Sequence, residues 1–277
     1  MKASEVAKFA SQSFALPDTC SRIRALLDDP AADSADIAEV IALDPSLSSK
    51  LLRLANSALF RFPAQINSIS KAVNVIGGEA LYNLALAETA TTAFKHFSNE
   101  AINLKRFWQQ SVFGGLLAKH MSKIVKVRGS DEYFVTGLLH QFSELVVATR
   151  APELASKCEA YHEDALPWQT QREELGFTYA ECSALILKKW QLPEQFAHVI
   201  ANVHQDINAR TGKDILIGHF AVRLALHMVD SRYSLSALLS PAGLKKLKLE
   251  ADDIQDLMKF TRMDAHKLLA LMNPELF

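Results

Sequence analysis

The sequence predicts an all-α protein. Apolar residues recur at helical spacing along most of its length. No segment sustains the period-two alternation of a half-buried strand, and Pro, Gly and short polar residues stand where helices start and stop. Ile37, Val40 and Ile41 give the i, i+3, i+4 stripe of a first amphipathic helix. Asp44-Pro45 stops it and opens the next: Asp44 can cap, and Pro45 suits the first helical position because its missing N–H would be unpaired anyway. Leu47, Leu51, Leu54, Ala55 and Ala58 then share one face, until the pattern breaks at Phe60-Arg61-Phe62 before Pro63. Ser68 caps SKAVNVI, Gly77-Gly78 ends it by allowing positive φ, and Leu81, Leu84 and Ala85 begin another helix.

The polar stretch from Lys95 to Glu100 divides an N-terminal helical subdomain, 1–100, from a second, 101–277. In the second, 107–125 reads as one long helix and 133–150 as another, mostly apolar and therefore buried. Pro152 and Pro167 mark further starts. Helices follow at 177–190, at 193–204 with Phe196, Val199, Ile200 and Val203 as its buried stripe, and at 213–229. The tail, 234–277, reads as short amphipathic pieces such as that around Ile254, Leu257 and Met258.

Bulk properties narrow the function classes. A chain of 277 residues can bury roughly 70–75% of its unfolded surface and needs no covalent staples. With 49% hydrophobic and 22% charged residues it reads as an ordinary globular protein. Thirty basic residues against 31 acidic ones argue against a nucleic-acid binder driven by bulk charge. The basic run Lys245-Lys246-Leu247-Lys248 is short, is followed by Glu250, Asp252 and Asp253, and reads as a solvated helix face. Cys20, Cys158 and Cys182 form no CxxC pair and read as reduced thiols. The N-terminal segment carries Glu5 and Lys8 in place of an apolar core, and no run suits a membrane span, so a cytoplasmic location without membrane contact is expected. GxSxG, P-loop and GxGxxG motifs are absent.

Two blocks of sequence carry a resemblance. LLRLANSALF, with INSISKAVNVIGGEAL after it, resembles the N-terminal signature of the HDOD domain, an output-domain relative of the HD metal-dependent phosphohydrolases. FWQQSVFGGLLAKHM, GLLHQFSEL, ELGFTYAECSALILKKWQLPEQFAHVI and HFAVRLA follow the order of segments in that family's helical core. The resemblance covers about residues 15–230 and implies an N-terminal helical bundle packed on an HD-like helical core. Active HD relatives hold metal with a His, an adjacent His-Asp pair and a later Asp, and some add further His residues. Carried onto this chain, the first His position falls on Gln110, the pair on His140 and Gln141, the additional His positions near Tyr179 and at Val203-His204, and the late Asp near Val222.

These substitutions bear on chemistry. A hydrolytic divalent site is built from carboxylates and imidazoles, and the carboxylate charge offsets the cost of dehydrating the ion. Gln141 offers a neutral amide, and Val203 and Val222 offer no donor. Where active relatives often read GLLHDIGK, this chain has Ser143 and Glu144. Glu144 would set negative charge near a phosphate ester, could replace a ligand four residues after His140, or could be a solvated or salt-bridged helix residue.

The leading expectation is a non-catalytic bacterial signalling domain acting through a protein partner, with no cofactor and no bound metal. Its contact surfaces would be the cleft between the subdomains and the face bearing Phe60, Arg61 and Phe62, which is either an interface anchor or core. Two alternatives stand beside it: a metal-dependent phosphohydrolase acting on a nucleotide or cyclic dinucleotide, and a sensor binding a nucleotide-type ligand in the pocket of Gln110, His140, Gln141 and Tyr179.

Overall fold

The structure, a computed structural model, describes all residues except 58, 61 and 160–164. Ala58 and Arg61 therefore lie outside the described residues. Among the described residues every regular element is a helix: α1 (Ala3–Ser13), α2 (Asp18–Asp28), α3 (Ser34–Ala42), α4 (Pro45–Ala55), α5 (Ile69–Ile76), α6 (Gly78–His96), α7 (Leu104–Ile124), α8 (Ser130–Leu139), α9 (Ser143–Arg150), α10 (Pro152–Glu159), α11 (Pro167–Leu175), α12 (Tyr179–Lys189), α13 (Glu194–Asn202), α14 (Lys213–Val229), α15 (Leu235–Leu238), α16 (Pro241–Leu247) and α17 (Ala251–Met272). No described helix is long and apolar enough to cross a membrane.

The helix ends form where short polar residues supply caps. The Asp44 carboxylate accepts from the Leu47 N–H at 2.9 Å with Pro45 at the first helical position, and the Ser68 hydroxyl accepts from the Lys71 N–H at 3.2 Å. Gly77 closes α5 at φ 94°, a conformation other residues adopt only at a cost.

Contacts divide the chain into two compact units, Met1–Ala15 with Phe94–Ala265, and Leu16–Ala93 with His266–Phe277. This division differs from a single cut at residue 100. α1 belongs to the larger unit because its stripe of Val6, Ala7 and Ala10 is fully buried and it packs on α12 and α9. The Trp190 indole N–H also donates to the Phe14 carbonyl at 3.0 Å. In the smaller unit α3 packs on α2, α4 and α5. There Phe60 and Phe62, both half-buried, stack on each other with centroids 5.6 Å apart.

The centre of the larger unit is α7, held between α8 and α14. α7 and α8 meet at glycines: a Cβ built on Gly137 would lie 2.3 Å from the Gly114 carbonyl oxygen, so this approach requires a residue without a side chain. Two helix expectations change. The helix expected over 133–150 is broken into α8 and α9 by a turn at 140–142. The tail contains the 22-residue α17 in addition to short pieces. Its seam places polar Thr261 and Asp264 at buried positions, which disguises the continuity of Ile254, Leu257, Ala265, Leu268 and Met272.

Candidate functional site

The break after α8 sets the site. The His140 ring turns back on its own helix, with Nδ1 2.7 Å from the Gly137 carbonyl oxygen. A carbonyl only accepts, so Nδ1 carries the proton and Nε2 keeps its lone pair. The turn continues through i→i+3 bonds, from the Phe142 N–H to the Leu139 carbonyl at 3.1 Å and from the Glu144 N–H to the Gln141 carbonyl at 2.9 Å. Gln141, buried, sends its amide donor to α7, to the Phe107 carbonyl at 3.0 Å and the Ser111 hydroxyl at 3.4 Å. Ser143 pins the start of α9 to α12: its N–H donates to the Ser183 hydroxyl at 2.9 Å and its hydroxyl to the Tyr179 carbonyl at 2.8 Å.

Gln110, His140, Gln141, Tyr179, His204 and Val222 line one cavity with Pro167, Trp168, Gln171, Ala180 and Leu226. Six of the seven residues singled out from the sequence thus converge. Val203 is not among the lining residues. It caps the C-terminus of α13, where its carbonyl accepts from the Arg223 guanidinium at 2.9 Å. The cavity is small, about 30 Å³, which is room for a water or two. Trp168 and His204 also line an outer depression of about 560 Å³, walled further by Ala165, Gln169, Arg172, Glu173, Thr178 and Asp206.

The electrostatics of this region are those of a buried cation without an anion. The Trp168 and His204 rings stack at 4.2 Å and 16°, and the Arg223 guanidinium carbon lies 4.5 Å from the centre of the Trp168 ring. Arg223 is buried, bonds only carbonyl oxygens, of Val203 and His219, and makes no ion pair among the described residues. Burial pushes its pKa down to about 9, with Asp206 opposing. Its charge acts on the histidines after burial does. His204 is held well below its usual range and His219 falls to about 3. Burial takes His140 to about 4, against the Gly137 hydrogen bond. All three rings are therefore neutral at pH 7.

Glu144 does not line the cavity. The turn at 140–142 resets the helical phase, so four residues after His140 no longer means the same face. The carboxyl is buried 3.9 Å from the Arg106 guanidinium, which also pairs with Glu159. Burial, and then the neighbouring Glu159 against the pull of Arg106, raises the Glu144 pKa well above the carboxylate range. Glu144 is thus not a solvated residue but part of a buried cluster with Arg106 and Glu159, where its carboxyl is held toward the neutral form. Among the described residues no three His, Cys, Asp or Glu side chains come close enough together to hold a metal ion. The three cysteines are free and buried, and burial raises the thiol pKa of Cys158 to about 11 and of Cys182 to about 12.

Trp168, Gln171 and Arg223 are site residues that sequence reasoning missed. One signal was available: Arg223 is the lone charge in the apolar run from Ile215 to Val229. A guanidinium on such a face must find a buried partner.

Several known proteins share this fold. A solved structure of a candidate phosphohydrolase from Shewanella amazonensis SB2B superposes with a TM-score of 0.72 at 21% identity, over 98% of both chains. A candidate signal transduction protein from Marinobacter aquaeolei VT8 gives 0.70 at 20% identity, over 94% of this chain and 59% of that one. An HDOD domain protein of unknown function from Geobacter sulfurreducens gives 0.62 at 22% identity, over 99% of this chain and 98% of that one. At these identities the likeness concerns the fold. An uncharacterized protein from Treponema pallidum (strain Nichols) is 29% identical over 195 residues, 68% of this chain. The match spans 37% of that protein, so this chain corresponds to about a third of its length. The HDOD domain family model matches residues 14–206, well over half of the chain, and the chain belongs to the HDOD domain family.

Proposed function

We propose that this chain is a non-catalytic regulatory domain of a cytoplasmic bacterial signalling pathway, acting through protein contacts on a scaffold whose ancestral metal site is dismantled. One observation carries the reading: among the described residues, the cavity at the HD position is walled by two imidazoles, three glutamine amides, Tyr179 and Val222, and by no carboxylate. A divalent cation does not fit this donor set. His140 retains the posture of a ligand, Nδ1 donating to a carbonyl and Nε2 free, but no anion beside it offsets dehydration of the ion. The buried Arg223 guanidinium next to Val222 adds positive charge, which repels a second cation. The likeness to a signal transduction protein supports the regulatory reading at the level of the fold. The likeness to candidate phosphohydrolases supports hydrolysis only at that same level. For partner contact, the stacked, half-buried Phe60 and Phe62 have the composition of an interface anchor.

The test is elemental analysis of protein purified without chelator, beside a phosphodiesterase assay with added Mn²⁺. The expected result is metal well below one equivalent, unchanged by His140→Ala, and no hydrolysis above buffer. Stoichiometric Mn, Fe or Ni that departs with His140→Ala would overturn the reading in favour of a hydrolase.

A further inference from the structure

We infer that the small cavity walled by Gln110, His140, Gln141 and Gln171 is a binding site for an uncharged molecule that carries a hydrogen-bond donor and an acceptor side by side, as a primary amide does. The inference rests on the non-catalytic reading, since it gives a neutral ligand the place that a metal would otherwise hold.

The cavity is lined by side chains that are buried yet incompletely bonded. Gln110 is 5% exposed, and its amide makes no hydrogen bond to any described residue. Neither of its amide atoms is sealed in the interior, and the residue lines the cavity, so the group opens onto that space. Gln171 uses its oxygen to accept from the Tyr179 N–H at 2.9 Å and leaves its NH₂ group idle. Gln141 is the converse: its NH₂ group donates to α7, to the Phe107 carbonyl and the Ser111 hydroxyl, and its oxygen is idle. His140 donates from Nδ1 to the Gly137 carbonyl at 2.7 Å, so Nε2 is an acceptor. The wall thus offers donors on Gln110 and Gln171 and acceptors on Gln110, Gln141 and His140. Buried polar groups in native folds are completed by protein, water or ligand.

Charge and size narrow the guest. Among the described residues no Asp, Glu, Lys or Arg lines the cavity, and the His140 ring is neutral at pH 7. An ion of either sign would leave water for a wall that holds no opposite charge, which is costly. The volume of about 30 Å³ is roughly twice what a single water needs, and it limits the guest to a few non-hydrogen atoms. A primary amide of that size accepts from the glutamine NH₂ groups on its oxygen. It donates from its own NH₂ to the idle oxygens and to His140 Nε2. Such a molecule reproduces the bonds of ordered water at the same groups and can displace it without loss.

The experiment is an NMR titration of the full chain at pH 7, followed through the Gln110 side-chain amide and the His140 ring nitrogens. Its probes are formamide, formate and formamidinium, which are planar and nearly equal in size but neutral, anionic and cationic. A saturable shift with formamide is expected, with binding at least about 10-fold tighter than that of either ion. Gln110→Met keeps the volume of the side chain, breaks no hydrogen bond in the fold and should abolish the response. Should that variant fail to fold, Gln110→Glu keeps the shape and should move the preference from formamide toward formamidinium. The inference is overturned if formamide gives no saturable shift, so that the cavity holds ordered water only. It is overturned equally if either ion binds as tightly as formamide, or if the Gln110 variants respond as the parent does. A final arm with Mn²⁺ separates this failure from that of the non-catalytic reading. Formamide failing while Mn²⁺ also fails to bind rejects only the amide site, whereas one equivalent of Mn²⁺ bound at His140 rejects both.

Discussion

His140 enters the fold as a neutral ring, and its cost appears in acid. Its pKa falls from 6.5 to about 4 because burial opposes the charged form. Between those values the unfolded chain binds a proton that the folded chain refuses. The stability tied to this ring is complete above pH 6.5 and is lost as pH falls toward 4. From pH 7 to pH 5 the loss is about 2 kcal/mol. His204 and His219 act with the same sign. Glu144, raised well above the carboxylate range, acts with the opposite one, losing its contribution as pH rises above 4.5. His140→Asn keeps an amide donor for the Gly137 carbonyl but removes the titration. Urea unfolding of the variant should show a flatter dependence on pH between 4 and 6.5 than the parent. Parallel curves for the two proteins would mean that the ring is already charged in the fold. Residues at this scale were legible where they sit in a motif. Gln110, His140, Gln141, Tyr179, His204 and Val222 were found because they replace expected ligands in sequence order. Trp168 belongs to no such motif, and its role arises only from stacking on His204, 36 positions away.

At the scale of elements, punctuation predicted starts better than it predicted breaks. Pro45, Pro152 and Pro167 each open a helix, and α14 runs over Lys213–Val229 as its apolar periodicity indicates. The turn between α8 and α9 has neither Pro nor Gly. It forms because the His140 side chain takes the Gly137 carbonyl that would otherwise receive a backbone N–H. That competition cannot be read from apolar spacing, and it explains why the placement of Glu144 by helical phase failed. The same corner yields a prediction about packing. α7 and α8 approach so closely at Gly114 and Gly137 that an added methyl at 137 meets backbone, at 2.3 Å from oxygen and 2.4 Å from carbon. Backbone cannot swing aside as the tip of a side chain can. Gly137→Ala should therefore destabilise the larger unit by at least about 3 kcal/mol, at the upper end of overpacking penalties. Gly176→Ala, where no atom lies within 4 Å, bears only the strain of its positive φ and should cost about 1 kcal/mol. Chemical denaturation of both variants tests the ranking, and equal losses would show that the two helices slide apart at little cost.

On the scale of the whole molecule, the chain closes the larger unit with its own first residues. The N-terminal segment reads in sequence as a short stretch of mixed polarity, and only its packing identifies it as core. Val6, Ala7 and Ala10 have no exposure, the Cys182 thiol lies 3.7 Å from the Ala3 carbonyl, and the Trp190 indole donates to Phe14. Burying one valine contributes about 1.5–3 kcal/mol, and leaving a buried indole N–H unpaired costs about 1–3 kcal/mol. Their sum is a large share of the roughly 5–15 kcal/mol that holds a domain folded. A chain lacking residues 1–15 should thus lose much of the stability of the larger unit. Trp190 now reaches only 9% exposure, so its fluorescence should shift to the red as α1 is removed. The melting transition should fall in parallel, and addition of a synthetic 1–15 peptide should reverse part of both changes. A truncated protein that melts with the parent and keeps its tryptophan emission would mean that α12 and α9 pack as well without α1. The larger unit would then be a continuous segment of chain.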